Sequence, residues 1–403
     1  MFILNGACQV NLVFLLMATH SSCSRYPCGT CQKDVGKNDK ALQCEGTCGK
    51  WFHCSCIFRH ELSTTQYRKV AASTDAWVCA NCCGDQTLPH FQTTSAIDVF
   101  HFDFQKNLPT PKLTVGKQFY LRLLWTYLFG IYCVSNDTLC AFMWNELIAH
   151  RGANEVVSSL AHFIFNTKQG RTGAKWSIWW ADNCPGQNKN HCVIWFFLDL
   201  IRRGIYARID YKFLVVGHTY GPADRSFGVI EKHTQKIENI YTPQEWCEHV
   251  QNSTVSGKIQ VTEMSQDDFF DYWEFLKNMY IERNVDIEGN QIQFSKILWF
   301  NFGVGEELID GQIRQTQHPL EVWVRYSHSI SEKPQKILYQ KKSCIRFNLT
   351  HQPDPLYDSY PLPIKYAKAC DVQKLAREYV PENARSIYMN LKTLEDDDLS
   401  DSD

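Results

Sequence analysis

Seven cysteines and one histidine are spaced as Cys28-x2-Cys31-x12-Cys44-x3-Cys48-x4-His53-x2-Cys56-x22-Cys79-x2-Cys82. Thiolate sulfur and imidazole nitrogen are the usual ligands of structural zinc. Eight such donors in four close pairs supply two tetrahedral sites with no open position. A separation of two or three residues lets one tight turn present two donors to one ion. A disulfide framework gives no reason for a histidine at the fifth of eight places. Eleven of the 18 cysteines fall in the first 83 residues. A segment of roughly 60 residues buries too little to fold alone, and metal binding is worth on the order of 10 kcal/mol per site. Cys54 and Cys83 are spare thiols, either able to replace a neighbouring ligand.

The elements that must position any second site begin after a polar linker at 85–95. Apolar patterning predicts strands at 97–104, within a long run at 118–135, and at 139–144, 176–181 and 211–216. It predicts helices at 154–165, 191–203 and 224–236, the first with Val156, Val157, Leu160, Ala161 and Ile164 on one stripe. The order is three strands and a helix, then two strand–helix pairs. Further on, 267–282 reads as an amphipathic helix, 292–302 and 321–326 as strands, and 371–379 as a short helix.

The chain has 403 residues, which suggests two to three domains. At 44% hydrophobic and 13% aromatic it is a folding sequence. The net charge of -2 excludes a strongly basic coat protein, yet six of the last nine residues are acidic, so the remainder is slightly positive. Residues 1–24 read as a disordered leader. Their apolar run at 10–18 is too short to span a bilayer, and no basic residue precedes it as in a signal peptide. Residues 391–403 read as a disordered acidic tail. No Walker motif, nucleophile elbow, internal repeat or membrane-spanning segment is present.

Segment 25–84 resembles a PHD finger, in which the histidine comes fifth, and Trp77 two before Cys79 matches the core aromatic of that family. The resemblance implies an interleaved ligand pattern, with Cys28, Cys31, His53 and Cys56 on one zinc and Cys44, Cys48, Cys79 and Cys82 on the other. It also implies a nuclear protein that binds a histone H3 tail or another chromatin protein. Tyr26 and Trp51 stand where walls of a methyl-lysine cage would be. The plainer reading of Trp51 is that it packs.

Segment 96–240 has the element order of the RNase H-like fold, an α/β architecture shared by retroviral integrases and many transposases. The phrases Asp182-Asn183-Cys184-Pro185-Gly186-Gln187-Asn188-Lys189-Asn190, Gly217-His218, and Asp224 through Lys232 resemble a little-characterised transposon-associated family. The resemblance implies phosphodiester cleavage or strand transfer with Mg2+ or Mn2+, possible only if carboxylates from distant segments converge. Asp103 ends the first strand, and Asp182 ends an almost wholly apolar strand before a polar loop. Asp224 and Glu231 share a helix face and compete as the last carboxylate, and Glu155 opens the first helix. Each also has an ordinary structural role open to it. Asp224 suits a helix N-cap, Glu155 favours a helix N-terminus, and Asp98 competes with Asp103 from the opposite sheet face. Asn183, Gln187, Asn188 and Lys189 read as substrate contacts to phosphate or base, or as caps of the next helix. His218 reads as a helper in product release, or as a structural hydrogen-bonding group. Segment 241–390 reads as an α+β extension, in which Lys333, Lys336, Lys341, Lys342 and Arg346 form a mildly basic stretch able to touch DNA. The rival to an enzyme is a chromatin adaptor whose second domain is only a scaffold.

Overall fold

The computed structural model describes residues 27–36, 39–43, 50–58, 97–170, 175–184, 186–214, 221–341 and 352–394. The chain divides into two units, Met1–His90 and Phe91–Asp403.

In the first unit β1 (Ala41–Gln43) pairs antiparallel with β2 (Trp51–His53), and α1 (Cys54–Phe58) follows. The Gln32 N–H donates to the Cys28 carbonyl at 2.9 Å, and the Gly29 N–H to the Trp51 carbonyl at 2.9 Å. These bonds close a tight turn and clip it to β2. A side chain at Gly29 would begin 2.2 Å from the Phe52 ring, so this turn needs glycine.

The second unit is a mixed α/β domain built on one large sheet. Its amino-terminal strands are β3 (Ile97–Phe104), β4 (Leu108–Thr110), β5 (Leu124–Cys133) and β6 (Thr138–Asn145). Next come α2 (Ala153–Asn166), β7 (Trp176–Ala181), α3 (His191–Arg202), β8 (Arg208–Phe213), α4 (Pro222–Thr234), α5 (Pro243–Gln251) and β9 (Ile259–Glu263). The remainder holds α6 (Tyr272–Lys277), β10 (Trp299–Ile309), β11 (Gln312–Arg325), β12 (Gln335–Ile337), α7 (Tyr366–Tyr379) and α8 (Ser386–Met389). The strand order is β12-β11-β10-β8-β7-β3-β5-β6-β9, with β4 on β5. β3, β7 and β8 are mutually parallel, β5 runs antiparallel to β3, and β6 runs antiparallel to β5.

Strand parity assigns the faces. Phe100, Phe102 and Phe104 pack with Val156, Leu160 and Phe163 of α2 and Val193, Phe197 and Leu200 of α3. Burying each phenyl is worth about 1.5–3 kcal/mol, and this aromatic core needs no metal staple. His101 and Asp103 therefore face the other side, where α4 and α5 pack on β5 and β6 through Phe227, Ile230, Trp246 and Val250. The α3 helix is buried from Cys192 to Ile201, and Asn190 caps it by accepting from the Val193 N–H at 3.1 Å.

Several boundaries differ from those expected. The fifth expected strand, at 211–216, begins at Arg208, because Arg208, Asp210 and Lys212 are buried charges. Asp210 accepts from Trp176 Nε1 at 2.7 Å, Trp299 Nε1 at 2.9 Å, Asn301 Nδ2 at 2.8 Å and Arg208 Nε at 2.7 Å. Burial alone would raise its pKa, but Arg208 and Lys212 hold it below the usual carboxylate value. The expected helix at 267–282 is cut to Tyr272–Lys277, since Phe269 turns into the core and Asp271 starts a new helix by accepting from the Glu274 N–H at 3.1 Å. The strand expected at 292–302 begins at Trp299 and runs on to Ile309. It turns at Asp310 (φ 51°) and Gly311 (φ 75°) into β11, which includes the strand expected at 321–326. The run at 118–135 opens as a 3-10 turn, Gly116–Tyr120, before β5, and the helix expected at 371–379 starts at Tyr366.

Candidate functional site

In the finger, the turn contributes Cys28 and Cys31, the end of β2 contributes His53, and α1 contributes Cys56. One ligand atom from each lies within 4.8 Å of all the others. Zinc with Zn–S near 2.3 Å and Zn–N near 2.0 Å sets tetrahedral sulfur–nitrogen edges of about 3.6 Å. Cys31 Sγ stands 3.5 Å from His53 Nδ1, so the set fits zinc. Burial would raise the Cys28 thiol, but N–H groups of Cys31, His53 and Thr30 bring it down to about 6, which favours the thiolate a metal needs. The other expected ligands, Cys44, Cys48, Cys79 and Cys82, lie outside the described residues, as does Tyr26. Trp51 is 7% exposed. It is a packed position, not an open cage wall.

Asp39 was not singled out by the spacing. Its Oδ2 lies 3.4 Å from His53 Nε2 and accepts from the Gly36 N–H at 2.7 Å. A carboxylate on the far nitrogen fixes the imidazole tautomer and leaves Nδ1 to the metal.

In the larger unit, Asp103 near the end of β3, Asp182 just after β7 and Asp224 in the first turn of α4 lie near the carboxyl ends of β3 and β7, close enough for the charges of Asp182 and Asp224 to act on Asp103. The Asp103 carboxyl is pushed up to about 7, first by burial and then by the charges of Asp182 and Asp224, while Arg151 and the Phe104 N–H work the other way. Asp224 is raised as well, by burial and by Asp182, against the Gly221 N–H that donates to its Oδ2 at 2.7 Å. Asp224 is thus both a helix-capping group and a member of the cluster. Among the described residues the finger ligands are the only group of three or more His, Cys, Asp or Glu side chains whose ligand atoms all lie within 4.8 Å of one another, so Asp103, Asp182 and Asp224 are not gathered that closely.

His101 seats the helix that carries Asp224. Its Nδ1 accepts from the Ala223 N–H at 3.3 Å, and a side chain at Gly221 would strike the ring at 2.3 Å. Burial lowers its pKa to about 4, so the imidazole stays neutral. Arg151 is a second residue that sequence reasoning missed. It lies over the Phe104 ring at 4.4 Å and donates to Asn107 Oδ1 at 2.7 Å and Gln187 Oε1 at 3.4 Å.

Other expected site residues lie elsewhere. Glu155 is 4% exposed and accepts from the Tyr357 hydroxyl, so a residue of the extension holds it. Glu231 is exposed, two helical turns beyond Asp224, or about 10 Å along the axis. Asn188 is buried and donates to Asp182 Oδ1 through its amide. Lys189 is 2% exposed and donates to Asn183 Oδ1 at 3.0 Å and to the carbonyls of Ser295 at 2.7 Å and Ile297 at 2.5 Å. That corrects the expectation of a phosphate contact, because all three ammonium protons are used inside the fold. His218 lies outside the described residues. In the basic stretch, Lys336 pairs with Glu307 at 3.3 Å and Lys341 donates to the Lys277 carbonyl at 2.5 Å, while Lys342 and Arg346 are outside the described residues.

Residues 25–86 match the family "Pygopus, PHD-type zinc finger", and residues 118–297 match a domain of unknown function, DUF7869. The chain joins a Pygopus-like PHD-type zinc finger to a DUF7869 domain. Pygopus homolog 1 of Mus musculus is 35% identical over 72 residues, which is 18% of this chain and 16% of that protein. Pygopus homolog 2 of Homo sapiens is 34% identical over 58 residues, 14% of each chain. The chain therefore spans only about one-sixth of the length of these relatives. Among solved structures, a chain from the cryoEM structure of the simian T-cell lymphotropic virus intasome in complex with PP2A regulatory subunit B56 gamma aligns with 70% of this chain and 90% of its own, at 13% identity and a TM-score of 0.25. A score that low does not establish a common fold. The DUF7869 match holds Asp182 and Asp224 and leaves Asp103 before it.

Proposed function

We propose that this is a nuclear, transposon-derived protein whose finger binds a histone H3 tail or another chromatin protein. Its larger unit is read as an RNase H-like domain for divalent-metal-dependent phosphodiester cleavage or strand transfer. The finger half is supported by the likeness to Pygopus PHD fingers and by the set of four zinc donors. The observation that carries the other half is the meeting of Asp103, Asp182 and Asp224 from three separate segments, two of them close enough to raise the third. The sequence of β3, β5, β6, α2, β7, α3, β8 and α4 supports the same reading.

Mg2+ or Mn2+ between such carboxylates would activate the attacking oxygen and neutralise the leaving one. Asp103, Asp182 and Asp224 would hold the ions. Asn188 keeps Asp182 in place through its amide, and His101 keeps Asp224 in place through the start of α4. Arg151 lies beside Asp103 and Asp182, where a guanidinium can meet a phosphate oxygen.

One observation favours the non-catalytic adaptor. Glu155, the fourth expected carboxylate, is bound by Tyr357 and buried. The test is cleavage of labelled single- and double-stranded DNA with Mg2+ or Mn2+, comparing wild type with Asp182→Ala. Activity in the wild type alone supports the enzyme. Equal activity in both, or none in either, dismisses it.

A further inference from the structure

One groove of the larger unit has Arg151 in its wall, the residue on which the charges of Asp103 and Asp182 act. Its volume is about 1040 Å3, and Asn107, which accepts from Arg151, is also part of the wall. Four cations line it, Lys106, Arg122, Arg151 and Lys368, and no carboxylate does. Arg122 and Lys368 are tethered by Asp371 and Glu146, whereas Lys106 is exposed and has no ion-pair partner among the described residues.

Phe119 of the turn Gly116–Tyr120 lines the groove, and Tyr120 stands beside it. Phe119 is 87% exposed and Tyr120 is 83% exposed, with ring centroids 5.3 Å apart at 84°. The turn itself is fixed, since Gln118 Oε1 accepts from the Leu113 N–H at 2.6 Å and Lys117 pairs with Glu378 at 2.6 Å. Neither ring is part of a core cluster of the described residues, so both stand open to a ligand.

We propose that this groove binds single-stranded nucleic acid, with unpaired bases stacked on Phe119 and Tyr120 and the backbone led past Lys106 and Arg151 towards the carboxylates. It rests on the phosphodiester reading above and adds the form of the substrate. Cations along a groove with exposed aromatic faces are the combination that unpaired strands require. A duplex keeps its base faces stacked inside, so the two rings would find nothing to cover.

Binding is measured on the full chain by fluorescence anisotropy with EDTA present, so that no cleavage intrudes. The probes are labelled oligodeoxythymidine, oligouridine and a duplex of the same length. Tighter binding of either single strand than of the duplex is expected, weakened about tenfold or more in Phe119→Ala/Tyr120→Ala, since each stacked base contributes roughly 5- to 150-fold. Lys106→Ala should lower the salt slope by about one contact. The substituted side chains lie at the surface, so folding is spared. Equal affinity in wild type and double variant, a preference for duplex, or no binding at all would overturn the proposal. Cleavage is scored separately. A wild type that cleaves with metal but loses nothing with the two rings sinks the groove alone, and one that binds as expected but never cleaves sinks the enzyme reading alone.

Discussion

Replacing Asp103 with Asn tests the raised Asp103 carboxyl, whose first cause is burial and whose second is the charge of Asp182 and Asp224. The Asn carbonyl can still accept from the Phe104 N–H, which reaches Asp103 Oδ1 at 2.7 Å, so the change removes charge and little else. The carboxyl rises from an ordinary 3.8 to about 7 in the folded chain. A group whose folded pKa exceeds its unfolded one favours the native state below the unfolded value, and that contribution is lost as pH rises to the folded value. For Asp103 the loss accrues between about pH 4 and pH 7 and is complete above that. At about 1.4 kcal/mol per unit the ceiling is about 4 kcal/mol, of which about 3 kcal/mol falls between pH 5 and pH 8.

The assay is urea unfolding of wild type and Asp103→Asn at about pH 5 and pH 8 with a chelator present. Ten of the 12 tryptophans lie in the larger unit, so tryptophan fluorescence reports mainly on it. The variant should gain stability over wild type by up to about 3 kcal/mol more at pH 8 than at pH 5. Adding Mg2+ at pH 8 should stabilise the wild type by about 1.4 kcal/mol for each tenfold excess over its dissociation constant and leave the variant nearly unchanged. Parallel stability curves for the two proteins across this range would refute the raised Asp103 carboxyl, and with it the pull of Asp182 and Asp224 on it.

Three other outcomes follow from the geometry. Cys56→Ser should release zinc and unfold the finger at a loss of several kcal/mol, read by metal analysis and by proteolysis of the amino-terminal unit. Asp39→Ala should keep the fold but weaken zinc by about 10- to 100-fold in competition with a chromophoric chelator, because His53 loses the group that orients it. Lys189→Ala should destabilise the larger unit by about 3 kcal/mol, since it strands the buried carbonyls of Ser295 and Ile297. A lysine that served only the substrate would leave the unfolding midpoint unmoved.

The zinc ligands were legible because their chemistry is local. Cys28 and Cys31 share one turn, and His53 and Cys56 lie on either side of one strand–helix junction, so spacing alone carries the signal. Asp39 carries no such signal, since a carboxylate between two ligand pairs looks like any loop residue. Arg151 is equally silent, because its role depends on Phe104, Asn107 and Gln187 coming together in space. The Asp310-Gly311 turn was a local hairpin signal and went unread, because β11 is polar and exposed along most of its length.

Polarity in sequence is an unreliable guide to exposure where a later segment closes over it. The loop at 182–190 looked like a substrate surface because it is dense in amides and has a lysine. In the fold, residues more than a hundred positions on supply the carbonyls that bury Lys189, and Asn188 turns inward to hold Asp182. Arg208, Asp210 and Lys212 misled in the same way, since their alternation with Ile209, Tyr211 and Phe213 reads as a half-solvated strand until β10 covers it with Trp299 and Asn301. Both cases trace to the extension after residue 241. This segment also supplies Tyr357 to Glu155 and Lys368 to the groove wall. The candidate site is therefore not the property of the amino-terminal strands alone. Its carboxylates come from β3, β7 and α4, while the groove walls and the buried braces around them come partly from the extension, and removing that extension should collapse the loop that presents Asp182.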